Sequence, residues 1–239
     1  HARLYVRTGV AAGCISALLL LVTGDGQAQN IARHQPVTLA AMEALFETTE
    51  GAPLAILGQP NLEKQRLDNP LVVPKFLSFL SYRRWDATVR GLNDFPKDTW
   101  PDNIPLLYYA YRAMVGLGTV FILLFGIAAW KLWKGRLFHS RFLLWLLVLL
   151  APFPFIANTA GWLTVELGRQ PWLIYGLMRT AEGASTHVSS GNAMFTLIGF
   201  MGMYALLSVL FLFLVYRELE HGPESEGQRT HTSTETTAV

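Results

Sequence analysis

Long apolar runs alternate with polar stretches along this chain of 239 residues. Crossing a bilayer takes about 20 mostly apolar residues, and four runs are long enough. They are Leu4–Val22, Pro105–Trp130, Phe142–Val165 and Ala193–Tyr216. The pattern predicts an all-α integral membrane protein with four transmembrane helices. We divide it into a first helix (residues 1–23), a long loop (24–104), three helices (105–216) and a disordered polar tail (217–239).

Composition supports this class, because 51% of the residues are hydrophobic and only 15% are charged. An ordinary soluble domain is less apolar and more charged. The formal net charge of +2 comes without a basic patch, so the bilayer is the expected partner and nucleic acid is not. Cys14 is the only cysteine, which excludes a disulfide framework and a thiolate metal site. We interpret the chain, which begins at His1 without a signal peptide, as the C-terminal helices of a larger bundle.

Charge also predicts which side of the membrane each loop occupies. The short loop from Lys131 to Arg141 carries four basic residues and no acid, so the positive-inside rule assigns it to the cytoplasm. By alternation, the 24–104 loop is extracytoplasmic and the C-terminal tail is cytoplasmic.

Ionisable residues next to membrane helices are the first functional candidates, because such groups are costly unless paired or bound. Glu166 and Arg169 lie three residues apart at the end of the third apolar run, and a simple pair at the headgroup level is the alternative. Arg112 lies about 10 Å along the second helix and Met114 about 14 Å. The guanidinium requires an anion, whereas a buried methionine is usually core filler. Tyr108, Tyr109 and Tyr111 fit an interfacial aromatic belt.

The outer loop contains two candidate helices. From Thr38, the residues Leu39, Met42, Leu45 and Phe46 recur at helical spacing, which predicts a short amphipathic helix lying on the membrane. Glu43 then belongs either to a solvated face or to a site that needs a base. Residues 74–80 form either a second interfacial helix or a packed turn.

Three motifs resemble subunit I of the cytochrome bd quinol:oxygen oxidases. Residues 161–172 (GWLTVELGRQPW) resemble that family's signature, and residues 35–43 (QPVTLAAME) are similar to the start of its quinol-binding loop. The Arg-x-Met sequence at Arg112 and Met114 also matches. The compact remainder of the loop resembles the short-loop branch of the family.

The resemblance assigns a role to each candidate. Glu166 would be an axial or near-axial group to a high-spin haem, with Trp162 and Arg169 against haem edges or propionates. Met114 would ligate the low-spin haem b, and Arg112 would pair with its propionate. Glu43 would act in quinol oxidation, in a quinol-binding segment that includes Gln35 and Thr38. Several family members have lysine where this chain has Thr38, so its quinone preference is an open question.

The implied activity is electrogenic, non-pumping quinol:oxygen oxidation in the bacterial cytoplasmic (inner) membrane. The implied cofactors are a low-spin haem b, a high-spin haem b and haem d, and the implied partners are subunit II and a small accessory subunit. The histidine ligands would come from earlier helices, so we assign none to His1, His34 or His187 and expect the fragment alone to be inactive. Two alternatives remain: a non-redox transporter using Arg112 and Glu166, and a haem b electron-transfer subunit that does not reduce oxygen.

Overall fold

The structure, a computed structural model, describes residues 1–183, 185 and 187–222. Residues 1–183 form one compact unit, and the described residues after 184 belong to a second. Seven α-helices dominate the described residues: α1 (Ala2–His34), α2 (Pro36–Glu43), α3 (Phe76–Tyr82), α4 (Ile104–Trp133), α5 (Arg141–Leu149), α6 (Phe153–Arg169) and α7 (Ser190–His221). Helices α1, α4 and α7 are each long and apolar enough to cross a membrane, and α5 with α6 makes a fourth span if the two count as one.

The third apolar run is not the single helix that the sequence predicts. It breaks between α5 and α6, whose axes differ by 42°. Pro152 is the N-cap of α6, and Pro154 lies in its first turn. Proline lacks the backbone N–H that a continuing helix needs but is tolerated in a first turn, so the helix stops and starts again here.

The first helix also extends beyond its predicted end, because α1 continues to His34. Gly24 and Gly26, which we interpreted as the start of the loop, lie inside the helix. Asp25 accepts a hydrogen bond from Gln29 and forms an ion pair with Arg83. Ala32 is buried in a cluster with residues of the loop. Tertiary contacts therefore outweigh the low helix propensity of the two glycines.

The predicted loop is folded and contains strands, so the chain is mostly rather than entirely helical. Strands β2 (Leu54–Asn61) and β3 (Arg66–Val73) form an antiparallel hairpin. Short strands β1 (Thr49–Glu50) and β4 (Thr88–Val89) pair with each other, and so do β5 (Trp172–Ile174) and β6 (Met178–Arg179). Helix α3 confirms a helix near residues 74–80, and its Ser78 side chain joins Ala52 N–H to Ala87 C=O across the loop.

Helix α2 is the element that the sequence placed least well. It begins at Pro36, and residues 37–43 are all buried. It packs against α1, α4 and α6 within the first unit. The alanines Ala40 and Ala41 are completely buried, which allows this close approach. The sequence predicted a short amphipathic helix with a single apolar face, and this is wrong, because the polar positions are buried as well.

Helix α7 is a 32-residue helix that continues through residues 217–221, which we had assigned to the tail. The side chain of Ser189 caps its N-terminus by accepting a hydrogen bond from Asn192 N–H. The remainder of the predicted tail, residues 223–239, lies outside the described residues.

Candidate functional site

Glu43 is the last residue of α2 and is only 4% exposed. The next residue, Ala44, adopts the left-handed conformation with φ 49°, which ends the helix. The Glu43 carboxylate forms an ion pair with the Arg112 guanidinium of α4. The solvated-face alternative for Glu43 is therefore excluded.

Arg112 is held by its neighbours on α4 as well as by Glu43. The Tyr108 and Tyr111 rings have their centroids 4.9 Å and 5.2 Å from its Cζ atom. Tyr108 is 1% exposed and Tyr111 packs against the core, so neither fits the aromatic belt that the sequence suggested. Tyr109, at 50% exposure, is compatible with such a belt. Within the first unit, the anion that Arg112 requires is Glu43.

Unused hydrogen-bonding capacity remains in this cluster. Glu43 Oε1, Tyr108 Oη and Arg112 Nε are buried without a hydrogen-bond partner. Burial raises the pKa of the Glu43 carboxyl above its ordinary value of 4.5, and the Arg112 guanidinium opposes this rise. A buried carboxyl with a raised pKa and a free oxygen accepts a proton more readily than an ordinary surface carboxylate does.

Thr38 and Gln35, the other residues assigned to quinol binding, differ in their surroundings. Gln35 is partly exposed between α1 and α2, and its backbone N–H donates to Ile31 C=O. Thr38 is 5% exposed, and its hydroxyl donates a 2.8 Å hydrogen bond to Gly168 C=O of α6. The structure therefore brings α2 into direct contact with the segment that contains Glu166 and Arg169.

Two glycines of α6 allow α4 to approach closely. A Cβ atom at Gly161 would lie 2.9 Å from Met114 Sδ, and one at Gly168 would lie 3.6 Å from Leu107 Cδ1. Gly161 and Gly168 are seven residues apart, as are Leu107 and Met114, and seven residues make nearly two helical turns. The two helices therefore meet along one pair of matching faces, with the partly exposed Met114 thioether against the Gly161 backbone.

Trp162, Glu166 and Arg169 share another face of α6, because their spacings of four and three residues bring them together. Trp162 is 61% exposed. Glu166 forms an ion pair with Arg169, and their side chains are 36% and 41% exposed. Arg169 Nε and the nearby Trp172 Nε1 are buried donors without a partner. This face is open within the first unit, and it offers a carboxylate, an indole and unused donors to a large planar group that carries acidic substituents.

Three connections were missed from the sequence. They are the Glu43–Arg112 ion pair, the two tyrosine rings around Arg112 and the Thr38–Gly168 hydrogen bond. The spacing of Tyr108 and Arg112, four residues apart on one helix, was a usable signal for their contact. Nothing in the sequence indicated that residues 69 and 130 positions apart would form the other two.

Comparison with known proteins gave consistent matches. The family described as "Cytochrome bd terminal oxidase subunit I" matches residues 1–223. The chain is 33% identical to the cytochrome bd ubiquinol oxidase subunit 1 of Bacillus subtilis (strain 168), over 90% of this chain and 48% of that protein. It is 24% identical to the cytochrome bd-II ubiquinol oxidase subunit 1 of Escherichia coli (strain K12), over 91% of this chain and 55% of that protein.

A solved structure, that of the bd oxidase from Geobacillus thermodenitrificans, resembles this one with a TM-score of 0.71 and 32% sequence identity. The match covers 88% of this chain and 48% of the solved chain. The chain thus spans about half the length of the relatives that it matches.

Proposed function

The chain belongs to the family of cytochrome bd terminal oxidase subunit I, and on this basis we propose that it forms part of a quinol:oxygen oxidoreductase of the bacterial cytoplasmic membrane. The observation that carries the proposal is the packing of α2 against α4 and α6. The helix with the expected quinol-side acid, Glu43, contacts both helices with the expected haem-side residues.

Glu43 is the proton acceptor in this proposal. Quinol oxidation releases two protons with two electrons, so a base must lie near the quinol oxygens. The raised pKa and the unpartnered Oε1 atom suit the carboxyl to this role. Arg112 fixes the orientation of the carboxylate, and the Tyr108 and Tyr111 rings hold the guanidinium in turn.

The donor chemistry on α4 and α6 fits the haems that the family implies. Met114 offers a partly exposed thioether, which would hold the iron of a low-spin haem b. Glu166 offers a carboxylate on the open face of α6 for a high-spin haem, and Arg169 and Trp162 would contact propionates or ring edges. The resemblance makes Arg112 the partner of a propionate of the low-spin haem b, and its Nε has no partner among the described residues. When bound, the haems b and d supply electron transfer and oxygen reduction.

The orientation of the chain completes the proposal. With the Lys131–Arg141 loop in the cytoplasm, residues 35–103 and the end of α6 face outward. Protons from quinol are then released outside while protons for water formation come from inside, which makes the reaction electrogenic without a pump. Subunit II and a small accessory subunit are the proposed partners. Family membership favours this oxidase over a non-redox transporter.

The test is Glu166→Gln in the complete complex, purified from native membranes through the full-length parent of this chain. We expect a reduced-minus-oxidised spectrum with diminished high-spin haem signals and a loss of oxygen uptake of at least about tenfold, because the amide cannot replace a charged ligand. Glu63→Gln, at an exposed position in the β2–β3 hairpin, is the matched control.

Unchanged haem content and oxygen uptake in the Glu166→Gln complex would overturn the assignment of Glu166. A wild-type complex with haem b but no signal from haem d would instead support the haem b electron-transfer alternative. A complex without any haem would refute both the oxidase and the electron-transfer subunit.

A further inference from the structure

Thr38 packs closely against a single residue of α6, Gly168. Its hydroxyl donates to Gly168 C=O at 2.8 Å, and its Cγ2 methyl lies 2.8 Å from the position that a Gly168 Cβ would occupy. Gly168 lies in the last turn of α6, where carbonyl groups have no partner within the helix. The Thr38 hydroxyl therefore supplies a hydrogen bond that α6 cannot make for itself.

The surroundings of Thr38 leave little access for a substrate. The residue is 5% exposed, and Gly168 is buried against both Thr38 and Leu107 of α4. Helices α2, α4 and α6 thus meet at this one point. Because the hydroxyl proton is already donated to Gly168 and the residue is buried, position 38 is poorly placed to contact a quinol ring.

The contact also lies between the two acids of the proposed site. Glu43 is five residues beyond Thr38 on α2, and Glu166 and Arg169 flank Gly168 on α6. A shift of α2 along α6 would therefore move the proposed quinol-side carboxyl relative to the proposed haem-side carboxylate.

We propose that Thr38 is a positioning residue, which locks α2 to the end of α6 and so fixes Glu43 relative to Glu166. This inference deepens the proposed function and rests on it for the roles of the two acids. It assigns position 38 a mechanical role in this chain in place of the quinol contact expected from the resemblance.

The experiment compares three substitutions in the full-length complex. Thr38→Val keeps the methyl group and replaces the hydroxyl by a second methyl, whereas Thr38→Ser keeps the hydroxyl and removes the methyl. Thr38→Lys introduces the residue that several family members have. Thr49→Val is the control, because Thr49 is partly exposed in the same loop and its hydroxyl donates locally to Glu47 C=O.

The first measurement is hydrogen–deuterium exchange of the peptide that covers α2, which requires neither haem nor turnover. We expect Thr38→Val to accelerate exchange roughly two- to tenfold, the factor that one hydrogen bond supplies, and Thr38→Ser to restore most of the protection. Thr49→Val should leave α2 exchange unchanged. Equal rates of hydrogen–deuterium exchange in wild type and Thr38→Val would show that Thr38 does not hold α2 against α6.

The second measurement separates positioning from substrate contact, with a short-chain ubiquinol as the probe. We expect Thr38→Val to lower kcat and to shift the high-spin haem spectrum, with KM changed by less than about twofold, because the substrate does not touch the hydroxyl. Thr38→Lys should disrupt the complex, because its ammonium would be buried against Gly168 without a partner. A raised KM in Thr38→Val with unchanged spectra, or an active Thr38→Lys complex with tighter quinol binding, would overturn the proposal.

Failure of the proposed function gives a different result. A wild-type complex without haem or quinol oxidation would refute the oxidase. The exchange measurement would still show whether Thr38 locks α2 to α6.

Discussion

Glu43 and Arg112 form the most deeply buried ion pair among the described residues, with side chains 2% and 11% exposed. Burying two charges is costly, and removal of one partner from such a pair typically costs about 3–5 kcal/mol. A pair of this kind is weak evidence for added stability. The unpartnered Oε1 of Glu43 itself and the unpartnered Tyr108 hydroxyl instead agree with the proton-accepting role that we propose for Glu43.

The raised pKa of Glu43 predicts how stability depends on pH. The pKa of Glu43 is higher in the folded protein than in the unfolded chain, so protonation of this carboxyl stabilises the fold. Its contribution to the free energy of unfolding is complete below the ordinary pKa of 4.5 and is lost as pH rises through the raised pKa. Each unit of pKa difference is worth about 1.4 kcal/mol. Arg112, Tyr108 and Tyr111 of α4 are the ionisable groups that face the carboxyl.

Glu43→Gln, which mimics the neutral acid at every pH, tests this prediction. We expect the unfolding temperature of wild type, relative to Glu43→Gln, to fall as pH rises from 4.5 towards neutrality. Exposed Glu63→Gln should show no such divergence from wild type. Parallel curves for wild type and Glu43→Gln would show that the Glu43 pKa is not raised.

Sequence reasoning identified these residues but not their partners. Arg112 was chosen because a guanidinium inside a membrane helix requires an anion, whereas Glu43 and Met114 were chosen from the family resemblance. The sequence could not show that Glu43 is the anion for Arg112, because 69 residues separate them and only tertiary packing brings them together. The family's lysine at position 38 likewise suggested a substrate contact, whereas burial against Gly168 indicates packing.

At the scale of elements, α4 and α6 are joined by two side chains that rest on two glycines. A Cβ at Gly161 would lie 2.9 Å from Met114 Sδ, too close for contact, while a methionine side chain can rotate away at modest cost. The contact at Gly161 therefore controls the orientation of the thioether more than the stability of the helix pair.

The substitution Gly161→Ala should change the ligation of haem by Met114 without a large change in the stability of the fold. We expect the unfolding temperature to stay within about 4 °C of wild type, since the displaced atom belongs to a flexible side chain. The low-spin haem b signal should weaken or shift in potential, because the thioether is turned from its position. Gly116→Ala, two residues from Met114 with nothing within 4 Å of its added Cβ, is the matched control. An unaltered low-spin spectrum in Gly161→Ala would argue against Met114 as the ligand.

The ends of the helices are the features that the sequence patterns predicted least accurately. The apolar run of the third span is continuous in hydropathy, yet Pro152 and Pro154 divide it into α5 and α6. Conversely, Gly24 and Gly26 suggested a loop, yet α1 passes through both. Hydropathy measures compatibility with lipid, whereas helix continuity depends on backbone hydrogen bonds and on contacts such as Asp25 with Arg83.

For the whole molecule, the orientation in the membrane is the most direct prediction to check. Cys14 is the only cysteine of these 239 residues, so Cys14→Ala, with any cysteine in the rest of the complex replaced likewise, gives a background without thiols. Into it we would place single cysteines at Glu63, in the β2–β3 hairpin, and at Lys134, between α4 and α5. A membrane-impermeant maleimide added to intact spheroplasts should label the cysteine at 63 directly and the cysteine at 134 only after permeabilisation. The reverse pattern would invert the topology and place Glu43 on the cytoplasmic side.

The contacts of α2 also determine the order in which the protein can be completed during synthesis. Arg112 emerges from the ribosome 69 residues after Glu43, and Gly168 emerges 130 residues after Thr38. When α2 has been translated, α1 is already present but α4 and α6 are not, so the contacts of Glu43 and Thr38 form only after those two helices have been made. The charged contact becomes available first and the threonine contact last. The docking of α2 is therefore complete only after α6 has been made.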